Sequence, residues 1–376
     1  MPYLSSLVAK SLLLNNHRSA GVDTDTASFS IYTGLYPPLN PIHFVSREDI
    51  ALPTLFSELT PHYRSFLVTS SDAKAWFPRS LLLNTGLQEL WDEKTLPLAS
   101  RGLVFWRFKD ETETAQYFIE KMKSAREPFI ALYYPYATHA PYYDYEGASS
   151  PEKSNSPYNR YVRNLRLVDG LIERIIRAID ETGLANRTLV AITADHGEAF
   201  GEHTESFDHG FTLFEEAVRV PMLFYHPARI LPRIVQRPTS HVDIPATILD
   251  ILNRPYDASR FQGESALHAA ARRYTFMYSP KSDLLGSVDR NNRKVIASGR
   301  NDECEVYDLN TDPGEKNPKA CDAGDPQLQA LAALRQMQTP ALRVYQDSCA
   351  MTGQCGMRST WPQHVEREHA GLSSGR

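Results

Sequence analysis

The run from Tyr158 to His196 constrains this chain more than any other part of it. In YNRYVRNLRLVDGLIERIIRAIDETG, Leu165, Val168, Ile172, Ile175 and Ile179 recur at the spacing of one helical face. Gly183 suits the end of that helix. Asn186-Arg187-Thr188 turns the chain, and Leu189–Thr193 reads as a buried strand. A helix followed by a strand without polar alternation needs apolar cover on both faces, the arrangement of a parallel sheet between helical layers. The strand stops at Asp195-His196-Gly197-Glu198, with Glu202 and His203 close behind. In such sheets ligand sites lie beyond the carboxyl ends of the strands. A carboxylate and an imidazole placed there can hold a divalent cation such as zinc or manganese. On these residues alone, an exposed Asp-His-Gly turn is an equally complete reading.

Other segments fit the same plan. Phe129–Tyr134, Phe66–Thr69 and Val220–Tyr225 are further core strands, and Val242–Leu252 is a helix with Pro245 in its first turn. From about residue 274 short strands alternate with polar turns such as Arg290-Asn291-Asn292-Arg293, which predicts a smaller antiparallel unit. The expected organisation is an α/β domain over residues 1–270, an antiparallel α+β subdomain over 271–345, and a polar tail over 346–376. With 42% hydrophobic residues in 376, the chain can bury a core of that size. A net charge of −5 gives no footprint for nucleic acid. No apolar run approaches the roughly 20 residues needed to span a bilayer, and MPYLSSLVAKSLLLNN is a poor signal peptide, with Lys10 inside its apolar part. All four cysteines fall in the last quarter. Two local disulfides, Cys304–Cys321 and Cys349–Cys355, in an oxidising compartment, and four free thiols both remain open.

Three more stretches carry groups suited to chemistry. YYPYATHAPYYDY presents His139 after a core strand, where an imidazole can serve an oxyanion or act as a general acid. SFDHGFTLFEEAVRVP presents His209 shortly before another strand. GVDTDTASFSIYTGLYPP is dense in hydroxyls, and a hydroxyl at a helix N-terminus can act as a metal-activated nucleophile on an anionic group. Each has a plain alternative: a histidine packed in an aromatic loop, a lone histidine after a turn, an ordinary Ser/Thr cap.

Their order resembles the sulfatase branch of the alkaline phosphatase superfamily. THAPY, TADHGE with GEH, HGFTLFEEAVRVPMLF, SHVDIPATILDIL and EVYDLNTDPGEKNP follow one another as in that family, over roughly residues 2–320. The resemblance implies an alkaline-phosphatase-like, mostly parallel sheet with helices on both faces. It makes Asp195 and His196 ligands of a divalent metal (zinc, manganese or calcium), and places His139 and His209 at the ester group. It also implies an anionic phosphate or sulfate ester substrate, on a glycan, lipid headgroup or small molecule, met outside the cytoplasm.

Sulfatases carry Cys or Ser nine residues before Thr-Gly, opening Cys/Ser-x-Pro-x-Arg. Before Thr33-Gly34 that position is Thr24, with Thr26 and Ser28 where Pro and Arg belong. Threonine cannot become the formylglycine that sulfatases use. TDTASF instead resembles the Thr-Ser-Asp-Ala-Glu-Phe stretch of lipoteichoic acid synthases, which with the phosphoethanolamine transferases use a threonine nucleophile. Residues 71–93 are similar to a loop segment of the same synthases. The expectation is therefore phosphoester chemistry through a covalent intermediate on Thr24, which is also a metal ligand. Family members further begin with a strand ending in acidic metal ligands, before the segment matching MPYLSSL. No acidic residue occurs in 1–22, so that strand is expected to be missing, along with any membrane segment ahead of it. Its loss keeps a second expectation open: an impaired homologue that binds anionic glycans or lipid headgroups.

Overall fold

The computed structural model describes residues 1–39, 54–59, 62–73, 86–103, 106–125, 128–143, 145, 156–203, 207–269, 271–301, 303–336 and 338. In chain order the core elements are α1 (Pro2–Val8), β1 (Leu12–Leu14), α2 (Thr24–Thr33), α3 (Leu55–Leu59), β2 (Arg64–Thr69), β3 (Glu89–Trp91), α4 (Glu111–Ser124), β4 (Phe129–Tyr134), α5 (Pro157–Glu181), β5 (Val190–Thr193), β6 (Met222–Tyr225), β7 (Arg233–Val235) and α6 (Ile244–Ile251). Helix α5 is the helix read from the sequence. Ser156 caps it by accepting from the Asn159 amide, Pro157 opens it where its missing N–H costs nothing, and Gly183 follows its end at φ +71°.

The core strands form two sheets. One, in the order β3-β2-β4, is parallel throughout. The other has the order β7-β1-β6-β5; β1 and β7 are parallel, while β6 runs antiparallel to both β1 and β5. The reversal of β6 departs from a plain parallel plan for physical reasons. A parallel return is usually made by a crossover helix; among its described residues the segment from β5 to β6 instead holds the paired strands Ala199–Phe200 and Phe207–Asp208 and the four-residue helix Glu215–Val218. Strand β1 was not legible in advance, because three leucines are too short a period to read.

Helices cover both faces. Phe118, Ile119 and Met122 of α4, Ile176 and Ile179 of α5 and Leu7 of α1 form one apolar layer over Phe66 and Val68, and Ala131 and Ile192 pack against it. Ile31 of α2 joins two clusters on the other side. One holds Phe56 and Leu67 with Leu132; the other holds Leu12, Met222, Phe224 and Ile244. The two sheets therefore share their helical cover. Strands β4 and β5 each end their own sheet. All six residues of β4 are only half-buried and Ala191 of β5 is exposed, whereas Met222, Leu223 and Phe224 of central β6 are fully buried.

The C-terminal unit is a five-stranded antiparallel sheet in sequential order: β8 (Tyr274–Ser279), β9 (Leu284–Asp289), β10 (Arg293–Ser298), β11 (Cys304–Asp308) and β12 (Lys319–Ala320). Asn292, in the turn read from the sequence, takes φ +62°. A helix over 326–336 buries Leu331 against the sheet. Cys304 and Cys321 form a disulfide with Cα atoms 5.6 Å apart; Cys349, Cys355 and the tail over 346–376 lie outside the described residues. The unit is tied to the core by buried charge. Glu215 accepts from Arg18 at 2.8 Å through both Nε and Nη2, and Lys294 bridges Glu215 and Glu315 at 3.1 and 2.7 Å.

Candidate active site

The ends of β4 and β5 and the start of α2 meet at one point. Asp195 follows β5 by one residue. Its Oδ1 accepts from the His196 amide at 2.9 Å, and its Oδ2 accepts from the Tyr134 hydroxyl, the last residue of β4, at 2.5 Å. Burial works against an ionised Asp195, but His196, the Tyr134 hydroxyl and the His196 amide together outweigh it and hold the carboxyl below its ordinary value. His196 Nε2 stands 3.3 Å from Asp195 Oδ2 and 3.5 Å from Thr24 Oγ1, while its Nδ1 lies 2.8 Å from the Gly197 carbonyl. A neutral imidazole protonated at Nδ1 would donate there and leave Nε2 free to ligate.

Gly197 is required by the backbone. A β-carbon there would lie 2.0 Å from the carbonyl oxygen of Glu216, and the Gly197 amide donates to Ala217 at 2.8 Å. The Asp-His-Gly turn is thus seated on the segment that leads into β6, which fixes where His196 points.

Thr24 is the first residue of α2, and Asp23 is its N-cap. Asp23 makes no side-chain cap bond; its Oδ1 instead pairs with Lys281 at 2.7 Å. The Thr24 side chain is buried and faces His196 at the positive end of the ten-residue helix.

Three donor atoms of Thr24, Asp195 and His196 are therefore 3.3–3.5 Å from their neighbours. Ligands about 2.0–2.1 Å from one tetrahedral ion stand about 3.3 Å apart. Hydroxyl, carboxylate and imidazole suit zinc or manganese. The two separations that involve His196 suit a divalent ion, which Thr24, Asp195 and His196 could hold together.

His139 and His209 lie beside this group. The His196 and His209 rings are 4.2 Å apart between centroids, and those of His139 and His209 are 5.4 Å apart. His139 stacks on Tyr136 and sets Nδ1 2.6 Å from the Ala140 carbonyl; burial lowers its pKa. His209 behaves oppositely. Burial again disfavours the charged ring, but Glu198 at 3.4 Å and Asp208 at 2.8 Å raise its pKa overall. Glu198, Asp208 and His209 also bring one ligand atom each within 4.8 Å of one another. All five residues singled out in the sequence thus come together. His203 does not: it spans Glu216 and the Glu315 carbonyl and stacks on Phe214, well engaged elsewhere. Residues 74–85, within the 71–93 loop segment, lie outside the described residues.

Four residues escaped the sequence reading. Tyr134 looked like part of a strand. Lys281 lies in the remote C-terminal unit. His241 sits in SHVDIPA, a segment read as a family motif and a helix start, with no role for its histidine. Its ring is fully buried, with Nε2 3.1 Å from the Ala194 carbonyl and Nδ1 3.2 Å from Ser19 Oγ, and burial lowers its pKa to about 4. A neutral His241 props the end of β5 from beneath. Glu111, the first residue of α4, acts similarly under the His139 loop. It accepts from Ser70 Oγ at 2.5 Å, the Tyr133 hydroxyl at 2.9 Å and the Tyr136 amide at 2.6 Å.

Known proteins resemble this chain in sequence and in fold. The Sulfatase family model matches residues 1–254. The lipoteichoic acid synthase-like protein YvgJ of Bacillus subtilis is 22% identical over 266 residues, which are 67% of this chain and 43% of that protein. Human iduronate 2-sulfatase is 39% identical over 69 residues, 18% of this chain and 12% of its own. The chain thus spans less than half the length of either relative. Among solved structures, the lipoteichoic acid synthase LtaP from Listeria monocytogenes superposes with a TM-score of 0.70 at 14% identity, covering 93% of this chain and 86% of that one. A protein of the alkaline phosphatase superfamily from Vibrio parahaemolyticus gives 0.71 at 17% identity, covering 93% and 82%. These likenesses show that the chain shares the fold of those structures, and the family match over two thirds of its length makes this chain a member of the sulfatase family.

Proposed function

We propose that this chain carries the catalytic centre of a metal-dependent ester hydrolase or transferase that acts on phosphate esters through Thr24. The observation that carries this reading is the 3.5 Å approach of Thr24 Oγ1 to His196 Nε2 at the start of α2. Thr24, Asp195 and His196 would hold the divalent ion. When bound, that ion supplies positive charge that favours the Thr24 alkoxide and the anionic ester.

Thr24 Oγ1, having given up its proton to solvent, attacks phosphorus. The Oγ1–P bond forms and the bond from phosphorus to the leaving oxygen breaks. His209, charged through Glu198 and Asp208, holds the proton that the leaving oxygen takes up. Water or an acceptor hydroxyl then attacks phosphorus and gives its proton to the neutral His209, and the bond to Thr24 breaks. His139, neutral in its buried setting, orients the ester as a hydrogen-bonding partner.

The disulfide Cys304–Cys321 supports action in an oxidising, extracytoplasmic setting. Among the described residues, no helix is long and apolar enough to cross a membrane.

A sulfuric ester substrate is the second reading. It is favoured by relatives whose names specify sulfatases, and by a solved neighbour described as BT4656 in complex with its substrate D-glucosamine-2-N,6-O-disulfate. The test sets aryl phosphodiester against aryl sulfate with zinc or manganese, and seeks phosphothreonine at Thr24 by mass spectrometry after a quench. Sulfate turnover without phosphodiester turnover overturns the substrate; undiminished activity in Thr24→Ala overturns the nucleophile. Metal binding without turnover of either ester leaves a non-catalytic binder of anionic groups.

A further inference from the structure

The site is rich in carboxylates, yet the proposed substrate is an anion. Asp23 and Asp25 flank Thr24, and Asp195, Glu198 and Asp208 surround the histidines. An ammonium group facing them comes from the other structural unit. Lys281 lies in the turn between β8 and β9, and its charge acts on both Asp25 and His209.

Its position is specific. Nζ stands 2.7 Å from Asp23 Oδ1, one residue from Thr24. The side chain crosses the bare α-carbon of Gly210, the neighbour of His209. A β-carbon on Gly210 would lie 2.5 Å from Lys281 Nζ and 2.9 Å from its Cδ, and Gly210 takes φ +92°. Ser279 Oγ donates to the Gly210 carbonyl at 2.6 Å, so the same turn fixes both partners. The ammonium also lies 5.1 Å from the centre of the Phe211 ring. An ammonium has three donors. One is given to Asp23, and the side chain is 44% exposed, so others remain open to a ligand.

We propose that Lys281 is the anion-binding residue of this site: its ammonium, steadied by Asp23, hydrogen-bonds a non-bridging oxygen of the tetrahedral oxyanion presented to Thr24. The proposal deepens the ester-transfer reading and rests on Thr24 as the point of attack. It also gives the C-terminal sheet a role beyond packing, because the sheet carries the cation to the site.

The experiment separates this role from a mere clamp between the two units. Inorganic phosphate, and separately sulfate, is titrated calorimetrically into the full chain with and without manganese, alongside melting curves. A charge-assisted hydrogen bond of this kind is worth ~10- to 100-fold in affinity. Lys281→Met and Lys281→Gln should weaken phosphate binding by that factor in both metal states, and Lys281→Arg should restore most of it. Asp23→Asn keeps the ammonium and should stay within about threefold of the parent, as a half-exposed ion pair adds little by itself. Equal losses in Lys281→Met and Asp23→Asn would reveal a clamp and overturn the proposal. So would unchanged affinity in both neutral Lys281 variants, or no phosphate binding by the parent chain. Tighter sulfate than phosphate binding, still dependent on Lys281, supports the proposal and moves the ester toward sulfate. Phosphate binding that depends on Lys281, without turnover of any ester, sinks the Thr24 reading and leaves this one standing.

Discussion

The Tyr134 hydroxyl lies 2.5 Å from Asp195 Oδ2, and this bond joins the ends of two strands that belong to different sheets. It ties the carboxylate proposed to bind metal to β4, while the Asp195 backbone belongs to the β5 side. Burial of the Tyr134 hydroxyl, with the Asp195 charge beside it, raises its pKa well above the ordinary value, so it acts as a donor throughout the working range.

Tyr134→Phe should leave the fold intact and loosen metal binding. Without the hydroxyl, Asp195 loses a bond that favours its charged form, and its pKa rises. Metal and proton compete for the same oxygens. The pH midpoint of zinc uptake should therefore move up, as followed with a chromophoric chelator. An unmoved midpoint would show that Tyr134 serves only to pack.

Gly197→Ala tests why the motif needs glycine after His196. The added methyl group meets backbone, the Glu216 carbonyl oxygen at 2.0 Å, which has no rotamer to yield. The turn must shift, costing about 1–3 kcal/mol and moving His196. Denaturant unfolding should show that loss, with zinc affinity falling in step. A stable variant with full zinc affinity would mean that the turn is softer than its contacts imply.

How much of this was legible in advance depends on how locally each feature is encoded. Helix α5 and strand β5 follow from periodicity, cap and stop signals within one segment. The order of motifs carried the family. The direction of β6 was not readable, because strand direction depends on the connection and its partners. Tyr134, His241, Glu111 and Lys281 were missed for a related reason. Each lies in a stretch with an ordinary structural reading, and its partners are 22 or more residues away. No spacing rule records that Lys281 in a C-terminal turn meets Asp23, or that Tyr134 meets Asp195.

Lys294→Met probes the buried charges that dock the C-terminal sheet. In the parent, burial opposes an ionised Glu215, but Lys294 and Arg18 hold its pKa at about 2. A depressed carboxyl contributes stability that is present above its unfolded value of 4.5 and is lost as pH falls toward 2. Removing the fully buried ammonium leaves Glu215 and Glu315 facing each other without it, an uncompensated arrangement that costs about 3–5 kcal/mol. Protonating one carboxyl then relieves repulsion. The variant should melt lower than the parent at neutral pH and recover part of the difference as pH falls toward 5. A constant difference across that range would show that the loss is one of packing alone.

Glu111→Gln isolates the support beneath the His139 loop. Burial raises the Glu111 carboxyl to about 7, against the bonds from Ser70, Tyr133 and the Tyr136 amide that favour its charge. A raised folded value means that its contribution to stability is fully present below the unfolded value of 4.5 and is lost as pH rises through about 7. This one group should make the parent less stable as pH rises across that window, by up to about 1.4 kcal/mol per unit. Gln keeps the shape and cannot titrate, so the slope should flatten in urea unfolding at pH values spanning about 5 to 8. Gln also turns one acceptor into a donor: an NH2 in place of Oε1 takes the acceptor from the Tyr136 amide, and one in place of Oε2 takes it from the Tyr133 hydroxyl. The Tyr136–His139 turn should loosen as a result, lowering turnover with little change in metal affinity. An unchanged pH slope would place the titration on another buried group.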